Sequence, residues 1–597
     1  MTDKRDGSLY KDRTFLRMIE NAEYFVIQEG CKRIGDLAFS GCADLKSIII
    51  PEGVTIIGEG AFEDCIGLKN IIIPDSVSVI DNSAFKGCTG LKDIVIPEGV
   101  TRIGAYAFMQ CTGLKNIRIP ESVAEIGNGA FRECIGLTSI VVDKNNEAYD
   151  SRKDCNAIIK TSTNELVAGC VNSVIPEGVL EIGDGAFRGC AGLKSIDIPE
   201  GVTVIGVDAF MGCTGLKNIV IPEGVTVIWD SAFWECTGLK SITIPEGVIE
   251  IGGTAFWGCT GLKNIVIPDS VTDIDDGAFY GCTGLNSIHI PKRVTEIGTG
   301  VLGACTGLTS VVVDKENKTY DSREDCNAII KTSTNELVAG CRSSVIPASV
   351  TRIMDEAFSG CKDLKDIDFP KGVTGIGKYA FYGCTGLKSI RIPKSVTAIG
   401  EYAFSDCTGL KGIIIPKGVT IIRESLFEGC IGLQSVILPM GVTEIRDSAF
   451  RGCEGLRSVI LPKGMTRIGE RAFEGCTILL SIIIPEGVSE IPAYAFKDCF
   501  CLESVTIYRG VKAIGYSAFE CCTSLRVINI PDSVTKIGNR AFYQCQWLES
   551  VFIPESVTVI KEDTFYDCPR ITAFVPVKCK VPKNAFTGSD RSMIKKY

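Results

Sequence analysis

The sequence predicts an α/β solenoid: right-handed coils, one long parallel β-sheet on the concave face, and short helical or 3₁₀ segments on the convex face. Three observations lead there. A motif typified by IPEGVTVIGVDAFMGCTGLKNI (Ile198 to Ile219) recurs about twenty times. Its Phe-x-x-Cys cysteine stands at 42, 65, 88, 111 and 134, at 190, 213, 236, 259, 282 and 305, and at ten further positions from 361 to 568, with a step of 23 residues inside each block. A unit of this length cannot bury its own apolar face, so stacked neighbours must bury it together.

Counted from its leucine, the unit reads L-x-x-I-x-I-P-x-G-V-x-x-I-G-x-x-A-F-x-x-C-x-G. Period-two spacing at positions 4 and 6, as in Ile219 and Ile221, marks a short strand with one buried face. Pro222-Glu223-Gly224 then reads as a type I turn, with proline presetting φ at the second position and glycine closing it. Ile205, Ala209 and Cys213 recur at three- to four-residue spacing, which predicts a turn of helix or 3₁₀ after Gly206. The expected organisation is a non-repeat N-terminal cap over residues 1–22, a solenoid over 23–570, and a degenerate C-terminal cap over 571–597. There VPKNAFTGSD keeps Ala-Phe and loses the cysteine.

From about Tyr24 to Phe574 the run I-P-x-G/S-V-T-x-I-G-x-x-A-F-x-x-C-x-G-L-x-x-I resembles the BspA-type leucine-rich repeats of bacterial surface antigens. The general leucine-rich pattern has Asn or Cys at position 9. This chain has Gly or Ser there, so the familiar asparagine ladder is missing. The resemblance implies adhesion and binding of host proteins at the cell surface or in secreted form.

Composition sets the limits. Apolar residues make up 45% of 597, enough for a core, and 62 basic against 72 acidic residues leave a net charge of −10. That balance gives no general attraction to nucleic acid or anionic membrane. The N-terminal stretch MTDKRDGSLYKDRTFLRMIENAEY carries no apolar signal-peptide core. No run reaches the roughly 18 apolar residues of a membrane span. A cytoplasmic chain is therefore the alternative to a surface protein.

The cysteine column reads as packing. Zinc needs four converging ligands, a disulfide needs Cβ atoms about 3.8 Å apart, and a nucleophile needs a basic partner. One thiol per coil meets none of these, and buried cysteine behaves as a small hydrophobe. Cys31 stands where valine is the rule, and Cys501 and Cys521 lie off the column. With 29 cysteines, a reducing compartment fits.

Two near-identical insertions interrupt the column, at about residues 143–170 and 314–341; Asp154–Cys170 repeats as Asp325–Cys341. NAIIK-TSTN-ELVAG predicts a hairpin with a four-residue loop, a structural splint or a raised landmark. Symmetric pairing would set Cys155 opposite Cys170 and Cys326 opposite Cys341, as disulfide candidates in an oxidising setting. Asp143, Asn145, Glu147, Tyr149, Ser151 and Asp154 approach calcium-loop offsets. Ala148 at the glycine position and Lys318 at a ligand position argue against calcium.

No enzyme site emerges, because His289 is the single histidine. GVTGIGKY (Gly372 to Tyr379) mimics a phosphate loop but lies wholly within the repeat. No metal or cofactor is expected, and the chain is expected to be a monomer. Binding is expected on the sheet. Position 5 is mostly β-branched, as in Ile414, Ile437 and Ile460, and reads equally well as a contact stripe or as sheet stabilisation. Lysines line both margins around Arg391: Lys365, Lys388 and Lys411 at position 2, and Lys371, Lys394 and Lys417 at position 8. The expected partner is a protein or an acidic glycan; otherwise these lysines form a solvated rim over apolar strand edges.

Overall fold

The structure, a computed structural model, describes residues 3–5, 8–11, 14–18 and 22–597. The remaining positions of the expected N-terminal cap lie outside the described residues. The chain forms two compact units, residues 1–301 and 302–597. Each is a β-solenoid with almost no helix, its strands pairing in parallel with those of the next coil. The exceptions are the antiparallel pairings among Asp3–Arg5, Ser8–Lys11 and Thr14–Met18 and those within the two insertions.

Two series of parallel strand pairings, or ladders, recur along each unit, where one long sheet was expected, and the first series is divided into short sheets of two, three or six strands. In the first unit, the predicted strand pairs Ser47↔Asn70 and Ile48↔Ile71, a register of 23 residues. A second ladder, unforeseen, follows after the turn: Arg33–Ile34 pairs with Ile56–Ile57, then Val79–Ile80, Arg102–Ile103 and Glu125–Ile126. The second unit repeats this, with Ser435–Ile437 on Gly412–Ile414 in the first ladder and Glu444–Ile445 on Ile421–Ile422 in the second. The second strand is only two residues long and offers no alternation to read. Its pairing comes from its neighbours.

The expected helical turn is the main correction. In the coil of Phe210, the N–H groups of Asp208, Phe210 and Gly212 donate to carbonyls of the next coil (3.0, 2.8 and 2.7 Å). Those of Ala209, Met211 and Cys213 donate three residues back in their own coil (3.2, 3.0 and 3.1 Å). A helix would spend every donor internally, whereas here alternate donors join coils. Left-handed residues enforce the pattern, at Asp208 (φ 57°) and Gly212 (φ 71°), then at Ser231 and Glu235 one coil later. Helical periodicity survives because turns of this spacing also put Ala209 and Cys213 on the buried side. Among the described residues, short 3₁₀ segments are confined to Arg152–Asp154, Arg323–Asp325 and Arg591–Met593, and the first two are themselves broken by left-handed residues, Lys153 (φ 56°) and Glu324 (φ 59°).

The proline turn is also displaced by one. Pro222 holds the first position, its carbonyl accepting from Val225 N–H at 3.1 Å, so Glu223 and Gly224 are the central residues. Serine at position 9 has its own role. Ser76 Oγ donates to the Val54 carbonyl of the preceding coil (2.8 Å), and Ser122, Ser270 and Ser395 repeat the bond. An intermittent serine ladder stands in for the asparagine one. The position-23 glycine is demanded by close approach: a Cβ at Gly90 would sit 2.4 Å from the Ile66 carbonyl oxygen.

The core is a set of columns. Phe187, Phe210, Phe233, Phe256 and Phe279 stack ring on ring, centroids 5.2, 5.4, 5.4 and 5.6 Å apart and nearly coplanar. Beside them run the cysteines, buried as expected except for the half-exposed Cys42 at the start of the column. Most of these thiols also make a hydrogen bond the sequence did not reveal: Cys236 Sγ donates to the Phe210 carbonyl (3.1 Å), and Cys88, Cys384 and Cys522 do likewise one coil back. A small, apolar residue with one weak donor suits that place. Burial pushes the Cys236 thiol up to about 12. All 29 cysteines are free thiols.

The insertion forms the predicted hairpin. Ile158–Lys160 pairs antiparallel with Glu165–Ala168 around a loop at residues 161–164. Tyr149–Asp150 adds a third antiparallel strand. A bulge between Ile158 and Ile159 shifts the register, so Ile158 faces Ala168 and Cys155 no longer faces Cys170. The symmetric pairing of these cysteines is thus corrected, and Ile329/Ile330 shows the same bulge in the second copy, with Cys326 and Cys341 also free. The outgoing strand joins the second ladder, Leu166 pairing in parallel with Ile182. Tyr149 Oη accepts the Ile126 N–H at 2.8 Å. The hairpin therefore replaces a rung of the ladder.

Candidate binding surface

Strand alternation decides what the first ladder shows. Positions 4 and 6 point inward, as with Ile413 and Ile415, which are buried. Position 5 points to solvent: Ile414, Ile437 and Ile460 are 63%, 58% and 84% exposed. All three expected stripe residues thus lie on one exposed face of the second unit, on successive coils of a 23-residue register.

The expected cations are exposed as well: Lys365, Lys371, Lys388, Arg391, Lys394, Lys411 and Lys417. The position-2 lysines are tied in sequence by backbone bonds, Lys388 N–H to the Lys365 carbonyl (3.3 Å) and Lys411 N–H to the Lys388 carbonyl (3.1 Å). Among the described residues none of these seven forms an ion pair. The ion pairs of neighbouring coils lie elsewhere, at Arg342–Asp363 and Lys378–Glu401. The first unit carries the same position-2 column, at Lys69, Lys92, Lys115, Lys194, Lys217, Lys240 and Lys263, and among the described residues only Lys46 of it forms an ion pair, with Glu23 at 2.7 Å. Position 8 is acidic there instead, as at Glu52, Asp75 and Glu98, and Glu98 holds Arg118 at 2.9 Å, so lysines on both margins of one coil are a feature of the second unit.

Sequence reasoning missed a groove of about 610 Å³ beside this field. Met440, Ile460, Leu461, Lys463, Ile483 and Tyr508 are among its lining residues. The signal was available as departures from the repeat. Tyr508 occupies the proline position, and Met440 the position that carries a charge in the surrounding coils. Among the described residues no cluster of His, Cys, Asp or Glu could hold a metal. No helix of the described residues is long and apolar enough to cross a membrane.

The chain matches the family profile "BspA type Leucine rich repeat region (6 copies)" over residues 11–151, 167–259, 203–330, 329–457 and 443–572. The chain belongs to the BspA-type leucine-rich repeat family. The matched profile describes a repeat region. No curated protein matches this BspA-type chain. Among solved structures it is similar to a leucine rich cell surface protein of Faecalibacterium prausnitzii, at 24% identity and a TM-score of 0.38, covering 85% of this chain and 94% of that one. It is also similar to a leucine-rich repeat protein of Bacteroides ovatus, at 24% identity, 85% and 98% coverage and a TM-score of 0.30. A third is the pneumococcal vaccine antigen PcpA, at 16% identity, 90% and 93% coverage and a TM-score of 0.30.

Proposed function

We propose that this BspA-type chain is a non-enzymatic, adhesin-like binding scaffold that recognises a protein or acidic glycan through the exposed face of the first ladder. The supporting observation is an adjacency on the second unit: an exposed apolar stripe at Ile414, Ile437 and Ile460 that continues, from the coil of Lys411 and Lys417 onward, a stretch whose two margins are lysines with no ion pair among the described residues. Unpaired cations around an apolar strip favour an acidic partner, which gains charge attraction and apolar burial together. In this reading the coils are right-handed, as strand–crossover–strand connections nearly always are, and the chain works as a monomer.

Family resemblance supports a cell-surface or secreted setting. A second reading, an intracellular interaction platform, is favoured by the 29 free thiols. Fractionating the native cell and sequencing the mature N-terminus separates the two. The binding face is tested by replacing Lys371, Lys388, Lys394 and Lys417 with Glu. Thermal unfolding is expected to hold while binding to immobilised acidic proteins and heparin at low salt weakens at least tenfold. Unchanged binding would sink the proposal.

A further inference from the structure

The repeat is regular enough that its violations carry information. From Pro347 to Pro554 every coil but one has proline at position 7, and the exception is Tyr508. From Lys371 to Glu555 every coil but one has a charge at position 8, and the exception is Met440. These two violations lie three coils apart in sequence, yet both line the same groove. Between them the stripe contributes Ile460 and Ile483. The four side chains are 72%, 51%, 84% and 55% exposed for Met440, Tyr508, Ile460 and Ile483. Water-facing apolar side chains concentrated on adjoining coils mark a contact site. Tyr and Met are the types that anchor partners at such sites.

The groove is also the end of the positive field. Lys463 lines it at position 8, and Lys417, Lys394 and Lys371 continue that column on earlier coils. Glu486 closes the column on the far side. An occupant that matches both parts needs an apolar group at one end and negative charges running one way from it. Four coil steps of about 4.8 Å separate the coils of Lys463 and Lys371, roughly 19 Å, which about six extended residues span. A sulfated glycan matches the charge but carries no apolar side chain for the groove.

We propose that the exposed face between Lys371 and Tyr508 takes an acidic peptide segment with an apolar anchor. The anchor sits between Met440 and Tyr508, and the carboxylates run over Lys463, Lys417, Lys394 and Lys371. This rests on the binding-scaffold reading and selects the peptide over the glycan.

The test uses the full chain and defined probes. One is a fluorescein-labelled peptide of a Phe-Leu pair, one glycine and six glutamates, made in both orders. The second replaces the pair with two serines, and the third is heparin. The Phe-Leu probe in one order is expected to bind at least tenfold tighter than the serine probe. Ile460→Thr with Tyr508→Pro should erase that preference without unfolding the chain, because Thr243 and Pro485 hold the same repeat positions elsewhere. Lys371→Glu with Lys394→Glu and Lys417→Glu should weaken both peptides. Equal affinity for the two peptides overturns the anchored-peptide inference. So does heparin binding, insensitive to the groove variant, with no peptide binding, although that result keeps the scaffold reading. Self-association abolished by the groove variant would make a second copy the occupant and also overturn it. Failure of all three probes to bind, with charge reversal having no effect on any ligand, removes the scaffold reading too.

Discussion

Cysteine is the residue on which the repeat turns. Most column thiols fill a small apolar space and donate to a phenylalanine carbonyl one coil back, as Cys65 does to Phe39 at 3.1 Å. That carbonyl already accepts the Cys42 N–H at 3.0 Å, so the thiol bond adds to a satisfied group. Removing it therefore strands no backbone polar atom. Reactivity follows from burial. Only Cys42, Cys501 and Cys521 are half-exposed, the rest being buried. A thiol reagent at neutral pH is expected to label those three ahead of the buried ones in the native protein, and all 29 after denaturation. Cys521 is expected to be the slowest of the three, because burial and the nearby Asp498 and Glu520 push its thiol up to about 11. Rapid native labelling of Cys236 would contradict the fold. Alkali gives a second test. Burial pushes Cys65, Cys236 and Cys407 up to about 12 from an ordinary 9.0. The unfolded state thus loses protons first as pH rises, and stability is expected to be full below about pH 9 and to fall towards pH 12. Denaturant melts across that range check the sign. The burial of this column was legible from spacing alone. The thiol bond was not, because its acceptor belongs to another coil.

Between coils, the coupled elements are the ladders and the ring stack. Phe210 lies between Phe187 and Phe233, at 5.2 and 5.4 Å, whereas Phe586 touches only Phe565 in its stack, at 4.9 Å. Phe210→Ala is expected to cost about 3–5 kcal/mol and to divide the unfolding transition. Phe586→Ala should cost much less; equal shifts in urea melts would refute neighbour coupling. The insertion makes a sharper prediction. Tyr149→Phe keeps the ring but strips the Ile126 N–H of its acceptor, so a loss of about 1–3 kcal/mol is expected. Amide exchange at Ile126 should accelerate with it. Alternation at Ile219 and Ile221 foretold the first strand, and NAIIK-TSTN-ELVAG foretold the hairpin. Two-residue strands such as Val204–Ile205 left no such trace, since nothing within a coil distinguishes them from the turn around them. Helical spacing at Ile205, Ala209 and Cys213 misled for a related reason. It reports which residues face inward, and a turn bonded to its neighbour can present the same faces as a helix.

At the scale of the whole chain, charge is unevenly placed. The net value of −10 hides a positive face in the second unit, where seven cations have no ion-pair partner among the described residues. Partner binding there is expected to weaken as salt rises from 0.05 to 0.5 M, because exposed charges are screened over about 10 Å at 0.1 M. Salt titration of the labelled acidic peptide checks this, and a flat response would deny the electrostatic part of the contact. The lysine columns and the apolar stripe were readable in advance, since each is a fixed position in a 23-residue register. The groove was not, although Met440 and Tyr508 stand out as exceptions once aligned. Repetition alone was enough to establish stacking, the buried columns and the exposed position-5 stripe, because identical units 23 residues apart can hide their apolar residues only against one another. Contacts between coils settled the rest: the second ladder, the left-handed turns in place of helix, the hairpin spliced into the ladder, and the meeting of two irregular residues in one groove. Each depends on a hydrogen-bond partner or neighbour supplied by a different coil, so the local sequence could not encode it by itself.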